Sequence, residues 1–264
     1  MVGAMRLRFP RRLRRRAYRQ TAALLPMSAR GISLELQGEK VLKDIDLKLR
    51  SGEIVAIVGR NGAGKSLLLK TLYGLIEPTS GQVKWAGAPV REIWRHQALI
   101  LQRPGLLRRS VAANIDYALR IRDVRRLDRL RRITEGLRVA RLVGYARKRA
   151  LSLSIGEQQR VAFAQAWAVY PDALFLDEVT SALDPVSKAV IEDLIDRLRG
   201  NEVGILMVSQ DMEQVKALAD RVVFLHEGEL ISDTSTKEFF TGVKDPRIAA
   251  FLAQTEPTQT YEGA

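Results

Sequence analysis

The stretch Gly59-Arg60-Asn61-Gly62-Ala63-Gly64-Lys65-Ser66 constrains this chain more than any other part of it. It follows the pattern G-x-x-x-x-G-K-[ST] of a nucleotide phosphate loop. Glycines let the backbone curl, so that successive N–H groups converge on phosphate oxygens. A helix that opens directly after the loop adds unpaired N–H groups and the positive end of its dipole. In such a loop Lys65 lies between the β- and γ-phosphates of ATP, and Ser66 offers its hydroxyl to Mg2+. A plain glycine-rich turn is the competing reading. The context argues against it. Ile54-Val55-Ala56-Ile57-Val58, just before the loop, is a β-branched run of the kind buried on both faces of a sheet. Residues 66–76, just after it, are leucine-rich and read as a helix.

Around this loop the chain alternates strand and helix signals. Residues 32–36 and 41–49 alternate apolar and polar positions, as half-buried strands of an antiparallel sheet do. Pro78, Ser80 and Gly81 read as a turn. Short strands follow at 98–101, 173–176 and 203–208, with helical patterns at 156–169, 186–198 and 212–218. Residues 222–225 and 230–231 flank Glu227-Gly228, a hairpin signal. Alternating strands and helices predict an α/β fold with a mainly parallel sheet, preceded by an N-terminal antiparallel β subdomain. Residues 110–150 interrupt that order with arginine-rich helical spacing and read as an inserted helical lobe. The expected organisation is a basic extension over 1–26, a nucleotide-binding domain over 27–245 with the lobe at about 103–160, and a C-terminal helix and tail over 246–264.

Composition excludes several functions. The 264 residues contain no cysteine and only two histidines, His96 and His226, which removes disulfides and thiolate or histidine metal centres. No stretch reaches the ~20 consecutive apolar residues of a membrane span. The net charge of +13 is uneven: residues 1–30 carry nine arginines and no acid, 91–150 are strongly basic, and 151–264 are acidic. The basic extension has three readings. It is an unstructured or misassigned start before Met27, a membrane-surface anchor, or a nucleic-acid-binding arm. The last lacks interleaved stacking aromatics.

Ala173-Leu174-Phe175-Leu176-Asp177-Glu178 is an apolar strand that ends in two acids. The carboxyl end of a parallel strand is where such sheets bind ligands. Asp177 is placed to hold Mg2+, and Glu178, pointing differently because strand side chains alternate, to orient or deprotonate water. Leu153-Ser154-Ile155-Gly156-Glu157-Gln158-Gln159-Arg160 precedes this pair by about twenty residues and resembles the signature motif of ABC ATPases. Ser181-Ala182-Leu183-Asp184 resembles that family's D-loop, and Gln102 its Q-loop glutamine. The resemblance covers about residues 30–240. It implies the ABC ATPase fold, with ATP and Mg2+ as cofactors. It also implies catalytic roles for Glu178, Gln210 and Gln102, and metal contacts from Ser66, Gln102 and Asp177. Ser154, Gly156 and Asp184 would contact nucleotide held by a second ATPase subunit in a head-to-tail dimer.

Four positions depart from the family pattern. Ile155 replaces the first glycine of the signature, and a β-branched residue takes positive φ only at a cost. Gln210 stands in place of the switch histidine, Val179 in place of a proline after Asp177-Glu178, and no aromatic lies between Gly31 and Arg50 to stack on adenine, Leu36 and Gln37 being nearest. These departures predict retained ATP binding with slow hydrolysis. The implied function is to energise an importer at the cytoplasmic face of the cell membrane, through a transmembrane permease and an extracytoplasmic binding protein. Residues 102–111, 224–228, 238–240 and 250–252 look most like tungstate-type oxyanion importers. Two rival readings stand: a soluble ABC ATPase acting on nucleic acid or ribosomes, and a nucleotide-gated subunit with weak hydrolysis. Nothing in the sequence marks a specific nucleic acid as partner.

Overall fold

The computed structural model describes residues 24–86, 88–89, 94–242 and 244–255, so most of the basic extension and the end of the C-terminal tail lie outside it. The chain opens with β1 (Met27–Leu36) and β2 (Glu39–Leu49), then runs through β3 (Ile54–Val58), the phosphate loop and helix α1 (Lys65–Tyr73). After β4 (Ser80–Trp85), β5 (Ala88–Pro89) and β6 (Gln97–Ile100) come helices α2 (Val111–Arg120) and α3 (Arg126–Val139). Next are α4 (Ile155–Val169), β7 (Ala173–Asp177), α5 (Pro185–Arg199), β8 (Gly204–Val208) and α6 (Met212–Leu218). The hairpin of β9 (Arg221–His226) and β10 (Glu229–Ser235) leads to α7 (Thr236–Thr241) and α8 (Pro246–Thr255).

Two sheets form. The first has the order β2-β1-β4-β5 and antiparallel pairing. The second has the order β10-β9-β3-β8-β7-β6, and is parallel from β9 to β6. Every residue of β3, β7 and β8 is buried, as the continuous apolar runs predict. Parity sorts their side chains. Val55, Ile57, Phe175 and Leu206 face a core shared with the antiparallel sheet and α1. Ile54, Ala56, Leu174, Leu176, Ile205 and Met207 face the other way, toward the core that α2, α4 and α5 share. Each fully buried Val or Ile contributes roughly 1.5–3 kcal/mol, so these three short strands anchor the domain.

One sequence expectation fails here. Ser80 and Gly81 are not a turn but the start of β4, which pairs with β1. A Cβ on Gly81 would lie 2.3 Å from the Gly31 carbonyl oxygen. The glycine therefore permits a close approach of two strands, a use that mimics a turn signal in sequence.

Candidate nucleotide site

The parallel pairing brings the loops after β3, β6, β7 and β8 to one end of the sheet. The phosphate loop leaves β3 through Gly59, whose φ is +148 and whose Cβ would collide with the Leu225 carbonyl oxygen at 2.1 Å. Only glycine fits there. Gly62 and Gly64 also have positive φ, and Gly64 leads directly into α1. Ala63 is buried, and its carbonyl accepts from the Gly228 N–H at 3.2 Å, which ties the loop to the β9–β10 hairpin. Arg60, Asn61 and Gly62 are exposed at the rim.

Lys65 is buried, and its Nζ donates to the Gly59 and Arg60 carbonyls at 2.8 and 2.9 Å. Burial lowers its pKa, while the charges of Glu178 and Asp177 oppose that shift. Ser66 Oγ donates to Asp177 Oδ1 at 2.7 Å, across 111 residues of sequence. Lys70 Nζ lies 3.8 Å from Asp177 Oδ2. Glu178 is half-buried; Gln210 Nε2 donates to its Oε1 at 2.6 Å, and Gln102 Nε2 donates to Ser181 Oγ at 2.9 Å. Gln102, Lys65, Ser66, Asp177, Glu178 and Gln210 thus share the carboxyl end of one sheet.

Glu178 departs from its expected cause. It follows the last residue of β7 and has φ +48, so a left-handed turn aims its side chain rather than strand alternation.

The signature and D-loop residues lie at two helix N-termini. Ser154 caps α4 in a reciprocal box: its Oγ accepts from the Glu157 N–H at 3.2 Å, and Glu157 Oε2 accepts from the Ser154 N–H at 2.9 Å. Those hydrogen bonds, the Ser154 N–H foremost, hold the Glu157 carboxyl below its usual range. Gly156 is pressed against α5, where a Cβ would sit 2.5 Å from Ser187 Oγ. Asp184 caps α5 ahead of Pro185 and accepts from the Val186 and Ser187 N–H groups at 3.0 Å each. Its pKa is lowered, first by the Ser187 side chain. Ile155 is the first helical residue of α4 and is 59% exposed. It does not take positive φ, so the expected backbone strain is absent. Leu36 is exposed at the end of β1, beside the Gln37-Gly38 turn.

Sequence reasoning passed over two buried glutamines. Gln159 Nε2 bridges the carbonyls of Leu101 and Val179 at 3.2 and 3.1 Å, and so joins the exits of β6 and β7. Gln214 links Thr180 and Ser209 behind the Glu178–Gln210 pair. The glutamine that follows the signature was in view for the first; no local pattern marks the second.

Comparison with known proteins shows the family. The family model "ABC transporter" matches residues 42–181. The chain is 35% identical over 253 residues to phosphate import ATP-binding protein PstB 2 of Natronomonas pharaonis, covering 88% of each chain. It is 37% identical over 194 residues to the tungstate uptake system ATP-binding protein TupC of Peptoclostridium acidaminophilum, covering 73% of this chain and 91% of that one. It is 36% identical over 223 residues to methionine import ATP-binding protein MetN of Nocardia farcinica, covering 80% of this chain and 66% of that one. A solved structure described as the ATP-binding subunit of an ABC transporter superposes with a TM-score of 0.78 at 22% identity, covering 88% of this chain and all of that one, and supports the fold. With a phosphate loop and an Asp-Glu pair facing each other across the ends of parallel strands, the chain belongs to the ABC transporter family as an ATP-binding ATPase subunit.

Proposed function

We propose that this subunit hydrolyses MgATP to energise an importer, docked on a permease at the cytoplasmic face of the membrane. The observation that carries the reading is the Ser66–Asp177 contact, which joins the phosphate loop to the acid at the end of β7. A hydroxyl and a carboxylate side by side are the hard oxygen donors that suit Mg2+. Ser66, Asp177 and the amide oxygen of Gln102 are the residues that would hold it. When bound, the ion offsets negative charge on the β- and γ-phosphates. Residues 59–66 wrap the phosphates and Lys65 pairs with them. Glu178 orients the attacking water and accepts its proton. The Gln210 amide donates to that carboxylate and occupies one of the oxygens that would meet the water; this supports slow basal hydrolysis.

Ser154, Gly156 and Asp184 serve a nucleotide held by a second copy of the ATPase subunit. Ser154 Oγ is held at the N-terminus of α4 by the Glu157 N–H, and its hydroxyl would turn from the Glu157 carboxylate to donate to that phosphate. Charge-assisted bonds to phosphate are worth ~1.5–3 kcal/mol each, enough for a few of them to make dimer closure depend on ATP. Residues 27–245 form the working unit, and the lobe at about 103–160 faces the permease. A cleft of about 290 Å3 between β6 and the lobe, lined by Tyr73, Leu101, Pro104, Arg122 and Gln165, supports that assignment. No helix of the described residues is long and apolar enough to cross a membrane, so a permease would provide the span.

For cargo, an oxyanion such as tungstate or phosphate is the finer reading, supported by two of the three relatives; the methionine relative is the standing alternative. Cells that carry Lys65→Ala in this chain should lose high-affinity uptake of labelled tungstate or phosphate and keep methionine uptake. Normal uptake of both oxyanions would contradict the oxyanion reading.

A further inference from the structure

The roles proposed above give Glu178 and Gln102 separate tasks, yet the structure joins them through Ser181, a residue with no task so far. Ser181 Oγ accepts from Gln102 Nε2 at 2.9 Å and donates to the Glu178 carbonyl oxygen at 3.0 Å. The Ser181 N–H donates to the same carbonyl at 3.3 Å, and the Glu178 N–H donates to the Val208 carbonyl at 3.1 Å. A non-glycine residue at φ +48 persists only when its surroundings fix it. Here the peptide groups on both sides of the Glu178 Cα are pinned, and Gln210 holds the carboxylate tip.

Gln102 lies two residues beyond β6, and its neighbour Leu101 lines the cleft beside the lobe. A path of hydrogen bonds therefore runs from the cleft edge to the backbone that aims Glu178. The link needs a side chain that accepts and donates at once. Serine and threonine hydroxyls do this; alanine does not.

We propose that Ser181 is a positioning residue for hydrolysis, whose hydroxyl passes the placement of Gln102 to the backbone of Glu178. This rests on the reading of Glu178 as the group that orients water. Thr180, its neighbour, is turned the other way, into the buried Gln214 network, and does not duplicate the contact.

The test is steady-state hydrolysis by the purified full chain, with ATP affinity and melting temperature measured alongside. Ser181→Ala should lower kcat by about tenfold or more, as small misplacements of a catalytic group do. KM for ATP and the melting temperature should stay near wild type, and Ser181→Thr should recover most of the rate. Gln102→Ala combined with Ser181→Ala should be no slower than the slower single variant, because both cut one path. A wild-type kcat for Ser181→Ala, with Glu178→Gln inactive, would overturn the relay. So would losses that multiply in the double variant, or a fall in kcat matched by loss of ATP affinity and melting temperature. A Glu178→Gln protein with wild-type turnover would overturn the reading of Glu178 itself, and the relay with it.

Discussion

At the carboxyl ends of the parallel strands, polar side chains from distant parts of the chain reach one another, as Ser66 reaches Asp177 across 111 residues and Gln102 reaches Ser181 across 79. At the N-termini of α4 and α5 the two capping side chains, Ser154 and Asp184, bond within their own turns, Ser154 to Glu157 and Asp184 to Val186 and Ser187. The first arrangement requires the tertiary fold; the second is what any well-capped helix does. The contrast locates what one chain supplies by itself. At the phosphate-loop end the side chains proposed to meet nucleotide and water are tied to one another within the monomer. The signature end offers helix N-termini whose partner is a separate molecule in the proposed dimer.

This division can be broken most sharply at Lys65. Lys65→Ala should weaken MgATP binding by about 100-fold or more, given ~2–5 kcal/mol for losing one member of a buried charge contact. Calorimetric titration of the purified chain checks this, and unchanged affinity would end the assignment. Gly156→Val probes the other end. The new side chain meets Ser187, and overpacking of this kind costs ~1–3 kcal/mol, read as a lower melting temperature. ATP affinity of the monomer should stay the same; a large loss would mean that the two ends are not separate. Gln210→His should raise turnover several-fold and add a pH dependence near the histidine pKa of ~6.5, which the neutral amide cannot give. A flat, unaltered rate profile would count against the Gln210–Glu178 contact as a brake. Ile155→Gly should do least. The residue is already helical and exposed, so the main effect is a helix penalty of up to ~1 kcal/mol, and a large gain in hydrolysis would show that the side chain crowds phosphate after all.

Much of the fold was legible because its signals are local. The phosphate loop, the β-branched run of β3 and the strand that ends at Asp177 each declare themselves within a few residues. Helix α6 likewise spans the expected residues, Met212–Leu218, between Asp211 as N-cap and the following strand. Features that depend on a distant neighbour were not legible. Gly81 looks like a turn until β1 lies against it. Glu178 looks like a strand residue until its left-handed φ is seen, and the hydrogen bonds that hold it come from Ser181 and Val208. Gln159 and Gln214 bridge loops that only the folded sheet brings together. Ile155 erred in the other direction: the family pattern implied strain where an ordinary helix start accommodates the side chain.

The central claim is that nucleotide is closed between the wired end of one subunit and the capped end of another. Sedimentation velocity of the Glu178→Gln chain, with and without saturating MgATP, tests it most directly. Blocked hydrolysis should leave a stable dimer that holds ATP and that dissociates when Ser154 is also changed to a bulky residue. A chain that stays monomeric at saturating ATP, or a dimer indifferent to Ser154, would contradict it.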